Sequence, residues 1–394
     1  PPPPGGFEAA VDALEALLGD AVEQRLVADV PLGAFLSGGI DSSAVVALMQ
    51  RRATGPVRTF SIGFRDAAYD EAPFARAMAA HLGTEHTELT VDPALGVEVA
   101  AELPGLYDEP FADESAIPTV LLSRLTRERV TVALSGDEGD ELLGGYDQYG
   151  KLRRLLPLLR LPGPLRRAAR AGARWLPPGA LKNGLGYLRS GDPAVAALQI
   201  VSATDPERLA ALCGAEHAEP NPVFGETFRA APVGSTEQRA MLADAAVYLP
   251  DDILTKVDRA SMSVALEVRV PLIDWRVVRF AYGLPLETVW HGGRTKAPLR
   301  ALLARHAPPA LFERPKHGFG FPLLDLLPDR LQAWRARFLA PERLREEGHF
   351  RPEALERLLA EGRRGGAAAE ASLLWRLLCF QRWYALHHRG EAVA

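Results

Sequence analysis

Val30-Pro-Leu-Gly-Ala-Phe-Leu-Ser-Gly-Gly-Ile-Asp-Ser-Ser43 is the stretch around which this chain of 394 residues is arranged. Leu32 to Leu36 reads as a short buried strand, Gly38 and Gly39 as a tight turn, and Ser42 onward as a helix carrying Val45, Val46, Leu48 and Met49. That succession makes a phosphate cradle. Glycines let the backbone approach an anion, the free N–H groups of the helix start point at it, and the helix dipole adds positive potential. Ser37, Ser42 and Ser43 add hydroxyl donors, whereas Asp41 would repel phosphate unless a divalent cation lay between them, which implies Mg2+. The loop is not a Walker A motif, because Gly39 is followed by Ile40-Asp41 where that motif needs a lysine.

Composition bounds what the cradle can serve. With 47% hydrophobic and 24% charged residues the chain can bury a large core, expected as two closely packed lobes. A net charge of −5 argues against a general nucleic-acid binder, and no apolar run is long enough to span a bilayer. Cys213 and Cys379 lie far apart and outside any metal-ligand spacing, so a reducing cytoplasm is the expected home. The sequence starts at Pro1, and residues 1–6 read as a linker without signal-peptide character, so a preceding segment is expected.

Phe7, Val11, Leu14, Leu18, Val22 and Leu26 recur at helical spacing and predict an amphipathic helix leading into the first strand. Beyond the loop, strand-like runs recur at Val57–Phe64, His86–Val91 and Val130–Leu134. Helical stretches separate them at Asp70–Leu82, Pro93–Leu106 and Ala116–Glu128. The alternation predicts an α/β fold: a parallel sheet with helices on both faces, ligands at the carboxyl ends of its strands, and a largely helical C-terminal half. Residues 7–150 then form a nucleotide-binding core, 151–235 a basic helical insert, and 236–394 a helical part that completes the site.

The strand ending at Leu134 runs into Ser135-Gly-Asp-Glu-Gly-Asp-Glu141, where Asp137, Glu138, Asp140 and Glu141 crowd between glycines on the same edge as the first loop. Crowded carboxylates there call for a cation, although a solvated acidic turn has the same composition. From Lys151 to Arg189 ten Lys and Arg residues occur with no Asp or Glu, and Arg166, Arg167, Arg170 and Arg174 share a helical face that reads as solvated. Residues 206–232 look like an irregular connection. Helical pattern then continues from Thr236 to Asp274, with Lys256, Asp258, Arg259, Glu267, Arg269 and Asp274 interleaved among apolar residues. Such groups are either ligand contacts or a salt-bridge network between lobes. Arg294-Thr-Lys-Ala-Pro-Leu-Arg300 precedes Lys316, which stands beside Gly318 and Gly320 in a segment with the composition of a closing loop.

Together these stretches resemble the synthetase domain of glutamine-dependent asparagine synthetases and their relatives, from about Phe7 to the C-terminal helices. The order S-G-G-I-D-S-S is similar to their pyrophosphate-binding loop, in enzymes that split ATP between its α and β phosphates to make an acyl adenylate. The resemblance implies an adenine nucleotide α-hydrolase-like fold and the cofactors ATP and Mg2+. By it, Ser37, Gly38, Gly39, Asp41 and Ser42 hold the pyrophosphate portion, Leu36 and Ile62 contact adenosine, and Ser135-Gly136 meet the nucleotide through the backbone. Asp41 and Asp140 fall at metal ligands, while Asp137, Glu267 and Lys316 fall at residues tied to catalysis. The implied reaction joins ammonia to a carboxylate, most simply aspartate, giving asparagine. The implied partners are those small molecules and a glutaminase domain or subunit upstream, with a homodimer as one arrangement left open. Asp137-Glu138 stands where many members have Glu-Gly, and Glu109-Pro-Phe-Ala-Asp-Glu-Ser115 where many have Thr-Thr-Ile-Arg. Those departures keep an alternative in view: activation of another carboxylate for a different or internal amine, as in β-lactam synthetases and lasso-peptide cyclases.

Overall fold

Five strands lie parallel in one sheet among the described residues: β1 (Leu32–Phe35), β2 (Arg58–Gly63), β3 (Glu85–Thr90), β4 (Val132–Leu134) and β5 (Glu267–Arg269). The computed structural model describes residues 5–64, 66, 70–175, 184–201, 206–214, 221–314, 328–365 and 367–393. The strand order is β3-β2-β1-β4-β5. From β1 the chain moves outward through β2 and β3, then returns to lay β4 against the other side of β1. The direction of travel therefore reverses between β1 and β4, and loops that leave adjacent strands toward opposite sides open a crevice there.

Side-chain alternation sends the two faces of the sheet to two cores. Ala34 and Leu134, register partners, join one cluster with Val11, Leu14 and Val45 of the helices Gly6–Arg25 and Ile40–Gln50. Phe35 and Phe60, also register partners, face the other, which holds Val99 and Val120 of the helices Pro93–Leu106 and Ala116–Arg127 and Trp375 of the C-terminal helix Ala367–Arg389. Burial on both faces is why the strands read as apolar runs.

β1 to β4 match the expected strands to within two residues. β5 corrects the expectation of unbroken helix from Thr236 to Asp274. The helix Thr255–Met262 stops at a turn where Ala265 takes φ 56°, and three residues then pair with β4, Val132 against Glu267 and Leu134 against Arg269. So short a strand is fixed by its neighbour and not by its own pattern. The stretch expected to be irregular, 206–232, contains the helices Pro206–Cys213 and Pro222–Ala230. Pro206 and Pro222 sit at the first helical position, where a missing N–H costs nothing, and Asn221 caps the second helix by accepting from the Phe224 N–H. The helix Gly163–Gly172 of the basic segment buries none of its residues. No described helix is long and apolar enough to cross a membrane.

Asp244, on the helix Thr236–Ala246, is buried and accepts from Gln148 Nε2 at 3.0 Å. Burial pushes its carboxyl up to about 6 against the lowering influence of Tyr149 and Gln148. Between about pH 4 and 6 the unfolded chain releases this proton first, so stability falls as pH rises through that window. Asp244→Asn is expected to flatten this slope, improving stability at pH 7 relative to pH 4 by about 2 kcal/mol against the parent in urea denaturation. A parental slope in the variant would contradict the assignment.

Candidate active site

The loops leaving β1 and β4 press directly on each other. Gly38 turns the first with φ 72°, and its missing side chain leaves room for the backbone of Phe74 and Ala75. The helix then begins at Ile40, two residues before the expected Ser42, which puts Asp41 in its first turn. Ser42 Oγ lies 3.0 Å from Ser37 Oγ and accepts from the Ser37 N–H at 3.2 Å, while the Gly39 N–H donates to Ser37 Oγ at 3.2 Å. These bonds close the serines into a ring. In the second loop, a Cβ on Gly136 would lie 2.5 Å from the Ser42 nitrogen, and one on Gly139 2.0 Å from Asp41 Oδ1. Glycine is required there so that the second loop can approach the Ser42 backbone and the Asp41 side chain. Gly136→Ala is expected to force the loops apart, costing about 1–3 kcal/mol of stability and at least about tenfold in nucleotide affinity; unchanged binding and melting would refute this close approach.

Between the loops stands Lys296. Its Nζ lies 2.5 Å from Asp41 Oδ2 and 2.7 Å from Asp140 Oδ1, and its backbone N–H donates to the Leu143 carbonyl at 3.0 Å. Burial alone would lower the ammonium's pKa, but Asp41 and Asp140 outweigh it and hold it above its ordinary value. Lys296 adopts φ 54°, the left-handed region unusual for a lysine, and its stem passes where a Cβ on Gly145 would lie 2.0 Å from Cε. Asp41 and Asp140 thus converge on one cationic point and are the carboxylates able to share a divalent ion.

Around this point opens a cleft of about 700 Å³. Leu36 and Ile62, buried, line it with Phe60, giving an apolar wall of the kind that suits a planar base. Deeper in, Ser135 Oγ donates to Asp137, whose carboxyl is lifted by burial against the opposing effects of Ser135 and Lys256. Lys256 Nζ donates at 2.8 Å to both Asp113 Oδ2 and Ser115 Oγ. Burial would lower its pKa, yet Asp113, Asp252 and Asp137 together keep it raised. Glu138 takes the left-handed φ of 77°, and burial with Glu141 nearby pushes its carboxyl up to about 8.

A sequence profile of the family described as Asparagine synthase matches residues 13–385. This chain belongs to the asparagine synthase family. Asparagine synthetase (glutamine-hydrolyzing) 1 of Bacillus subtilis (strain 168) is 30% identical over 375 residues, which are 93% of this chain and 58% of that protein. A Mycobacterium tuberculosis (strain ATCC 25618 / H37Rv) protein, provisionally named a glutamine-hydrolyzing asparagine synthetase, is 32% identical over 390 residues, 96% of this chain and 58% of that protein. The chain therefore spans a little over half the length of these relatives.

Of the residues that the asparagine synthase resemblance singled out, Leu36, Ser37, Gly39, Asp41, Ser42 and Ile62 line the cleft, as do Ser135, Gly136, Asp137 and Asp140 across from them. Gly38 shapes the loop from behind, against the helix Ala72–Leu82. The structure does not bring Glu267 to the cleft. It stands at the start of β5, opposite Val132 at the far end of β4 from the loop, with its side chain 56% exposed and paired to Arg269 at 2.6 Å. Lys316 lies outside the described residues. Of the other interleaved charges, Lys256 reaches the cleft, whereas Asp274, buried, is paired with Arg25 and Arg276 outside the cleft lining. Lys296 carried no assigned role in the sequence; its single signal there is a cation at the head of a helix, Ala297–Ala304, that is apolar apart from Arg300.

Proposed function

We propose that this chain carries the synthetase reaction of its family: a carboxylate attacks the α-phosphorus of ATP, pyrophosphate leaves, and an amine displaces AMP from the acyl adenylate to give an amide. Ammonia and aspartate, giving asparagine, are the simplest pair. The observation that carries the reading is the meeting of the β1 and β4 loops, with Asp41 and Asp140 converging on one cationic point.

The chain's own groups divide the work. First-turn N–H groups and the ring of Ser37 and Ser42 hold the pyrophosphate portion, and Leu36 and Ile62 enclose the base. Two hard carboxylate oxygens are a donor set that suits Mg2+, which takes one or two protein carboxylates and completes its shell with phosphate and water. Bound there, Mg2+ would neutralise charge developing on the phosphates. No group of three or more His, Cys, Asp or Glu side chains forms a metal cage among the described residues, and Asp41 and Asp140 are the pair proposed for this role. Asp137, with its raised pKa, takes the proton as the amine adds. Lys316 is proposed as the further cation at the transferring phosphate. The names of the relatives support a glutaminase unit as ammonia source.

Isotopic ATP–pyrophosphate exchange with Mg2+ and a panel of amino acids tests this. Acid-dependent return of label to ATP is expected. No exchange with any acid would end the ligase reading, and exchange with an acid other than aspartate would move it to the alternative of another carboxylate.

A further inference from the structure

The helix Gly163–Gly172 turns its charged half inward and its apolar half to water. With one residue every ~100° around the axis, Arg166, Arg167 and Arg170 fall in one half of the circumference, and Pro164, Leu165, Ala168, Ala171 and Gly172 in the other. Of the three arginines, expected on a solvated face, only Arg167 is exposed. Arg166 folds back on the protein: its Nη1 donates to the Leu159 carbonyl at 3.2 Å and to the Leu161 carbonyl at 2.6 Å, and occupies the space that a Cβ on Gly191 would need. The residues of the apolar half are all exposed, Leu165 by 56%, and on the turn that follows Trp175 is 79% exposed. A helix this short gains little from its own hydrogen bonds in water, and this one buries none of its residues. An apolar arc rimmed by charge in such a position marks an interaction surface.

Charge decides what the surface fits. From Lys151 to Arg189 there is no Asp or Glu, in a chain whose net charge is −5. Lys151, Arg154, Arg160 and Arg167 are exposed, and none of them pairs with a carboxylate among the described residues. A second copy of the chain fits poorly, because a twofold contact would set one acid-free segment against another. A folded protein anchors its binding in pockets, and the small residues Ala168, Ala171 and Gly172 give this arc no wall to close one. A bilayer needs no pocket: apolar side chains enter the boundary between headgroups and acyl chains, and Lys or Arg beside them meets lipid phosphate.

We propose that this face docks on the surface of an anionic phospholipid bilayer, with Leu165 and Trp175 entering the headgroup–acyl boundary and Arg160 and Arg167 contacting lipid phosphates. The helix lies on the membrane and does not cross it. The docking face stands apart from the cleft. Asp147 lines the cleft at the start of the helix Asp147–Leu159, whose other end, a rise of about 20 Å away, leads into the docking helix. The proposal therefore does not depend on the ligase reading.

Co-sedimentation of the full chain with vesicles tests it. Partition onto phosphatidylcholine vesicles containing about one-quarter phosphatidylglycerol is expected to exceed partition onto pure phosphatidylcholine at least about tenfold. The double variant Leu165→Gln/Trp175→Gln is expected to lose at least about tenfold of that partition. Arg160→Gln/Arg167→Gln is expected to lose most of the preference for the anionic lipid. Melting should stay parental in both, since the four side chains are exposed. A second readout leaves the apolar character of the face intact: brominated phosphatidylcholine in the same vesicles should quench indole fluorescence in the parent, and markedly less in Trp175→Phe.

No partition onto either vesicle, equal partition onto both, or quenching undiminished in Trp175→Phe would each overturn the proposal. So would retention on immobilised poly-L-glutamate without vesicle binding, which would assign the face to an acidic protein instead.

Discussion

Lys296→Met is expected to destabilise the ligand-free protein by about 3 kcal/mol. The lysine stands between Asp41 and Asp140, its own side chain 6% exposed and theirs 22% and 20%. Methionine fills the volume but leaves two carboxylates facing each other with no counter-charge, and removing one partner of a buried ion pair costs about 3–5 kcal/mol. The low end applies because both acids retain about a fifth of their surface in water. The same geometry sets a second expectation. A divalent cation entering the parent protein must displace an ammonium held by both acids, whereas in the variant it meets no competitor. Added MgCl2 should therefore raise the urea midpoint of Lys296→Met more than that of the parent. An unchanged midpoint in the variant, or equal response of the two proteins to magnesium, would show that the three groups do not share one electrostatic site.

Lys296 also shows where sequence reading stops. The two glycine loops were legible because each is a local pattern, an apolar strand followed by Gly, Ser and Asp in a fixed order, and the carboxyl-end rule for parallel sheets brings such loops to one edge. β1 to β4 were legible for the same reason. Lys296 is 255 residues from Asp41, and its place depends on a left-handed backbone and on Gly145 leaving space for its stem. Neither leaves a periodic trace. β5 is hidden similarly, since three residues have no pattern until β4 lies beside them. Glu267 differs in the opposite sense: it stands in a motif that resembles the family's, yet the parallel register of β5 places it opposite Val132, at the end of β4 away from the loop. The helices in 206–232 were missed because proline, read as a breaker, is equally a helix starter.

Arg382→Met is expected to cost about 3–5 kcal/mol, a loss of stability well removed from the cleft. Arg382 is fully buried on the C-terminal helix, and the carbonyl oxygens around it do the work of a carboxylate. Its Nη1 donates to the Ala100 carbonyl and Nη2 to that of Ala101, both at 2.9 Å, and Nε to the Val393 carbonyl at 3.2 Å, while the guanidinium lies 3.8 Å from the centre of the Trp334 ring. The reason for so unusual a burial lies in the helix Pro93–Leu106, whose Pro104 has no N–H for the Ala100 carbonyl four residues earlier. Arg382 supplies the donor that the helix lacks, and so joins the C-terminal helix to the layer behind the sheet. Methionine would leave that carbonyl buried and unsatisfied. Arg382→Lys would restore charge but not the planar fork, recovering only part of the loss. Pro104→Ala provides the decisive control: with a helical N–H available to Ala100, the cost of Arg382→Met should shrink by about 1 kcal/mol in a double-mutant cycle. Strict additivity of the two substitutions would mean that Arg382 is held by something other than the gap the proline creates.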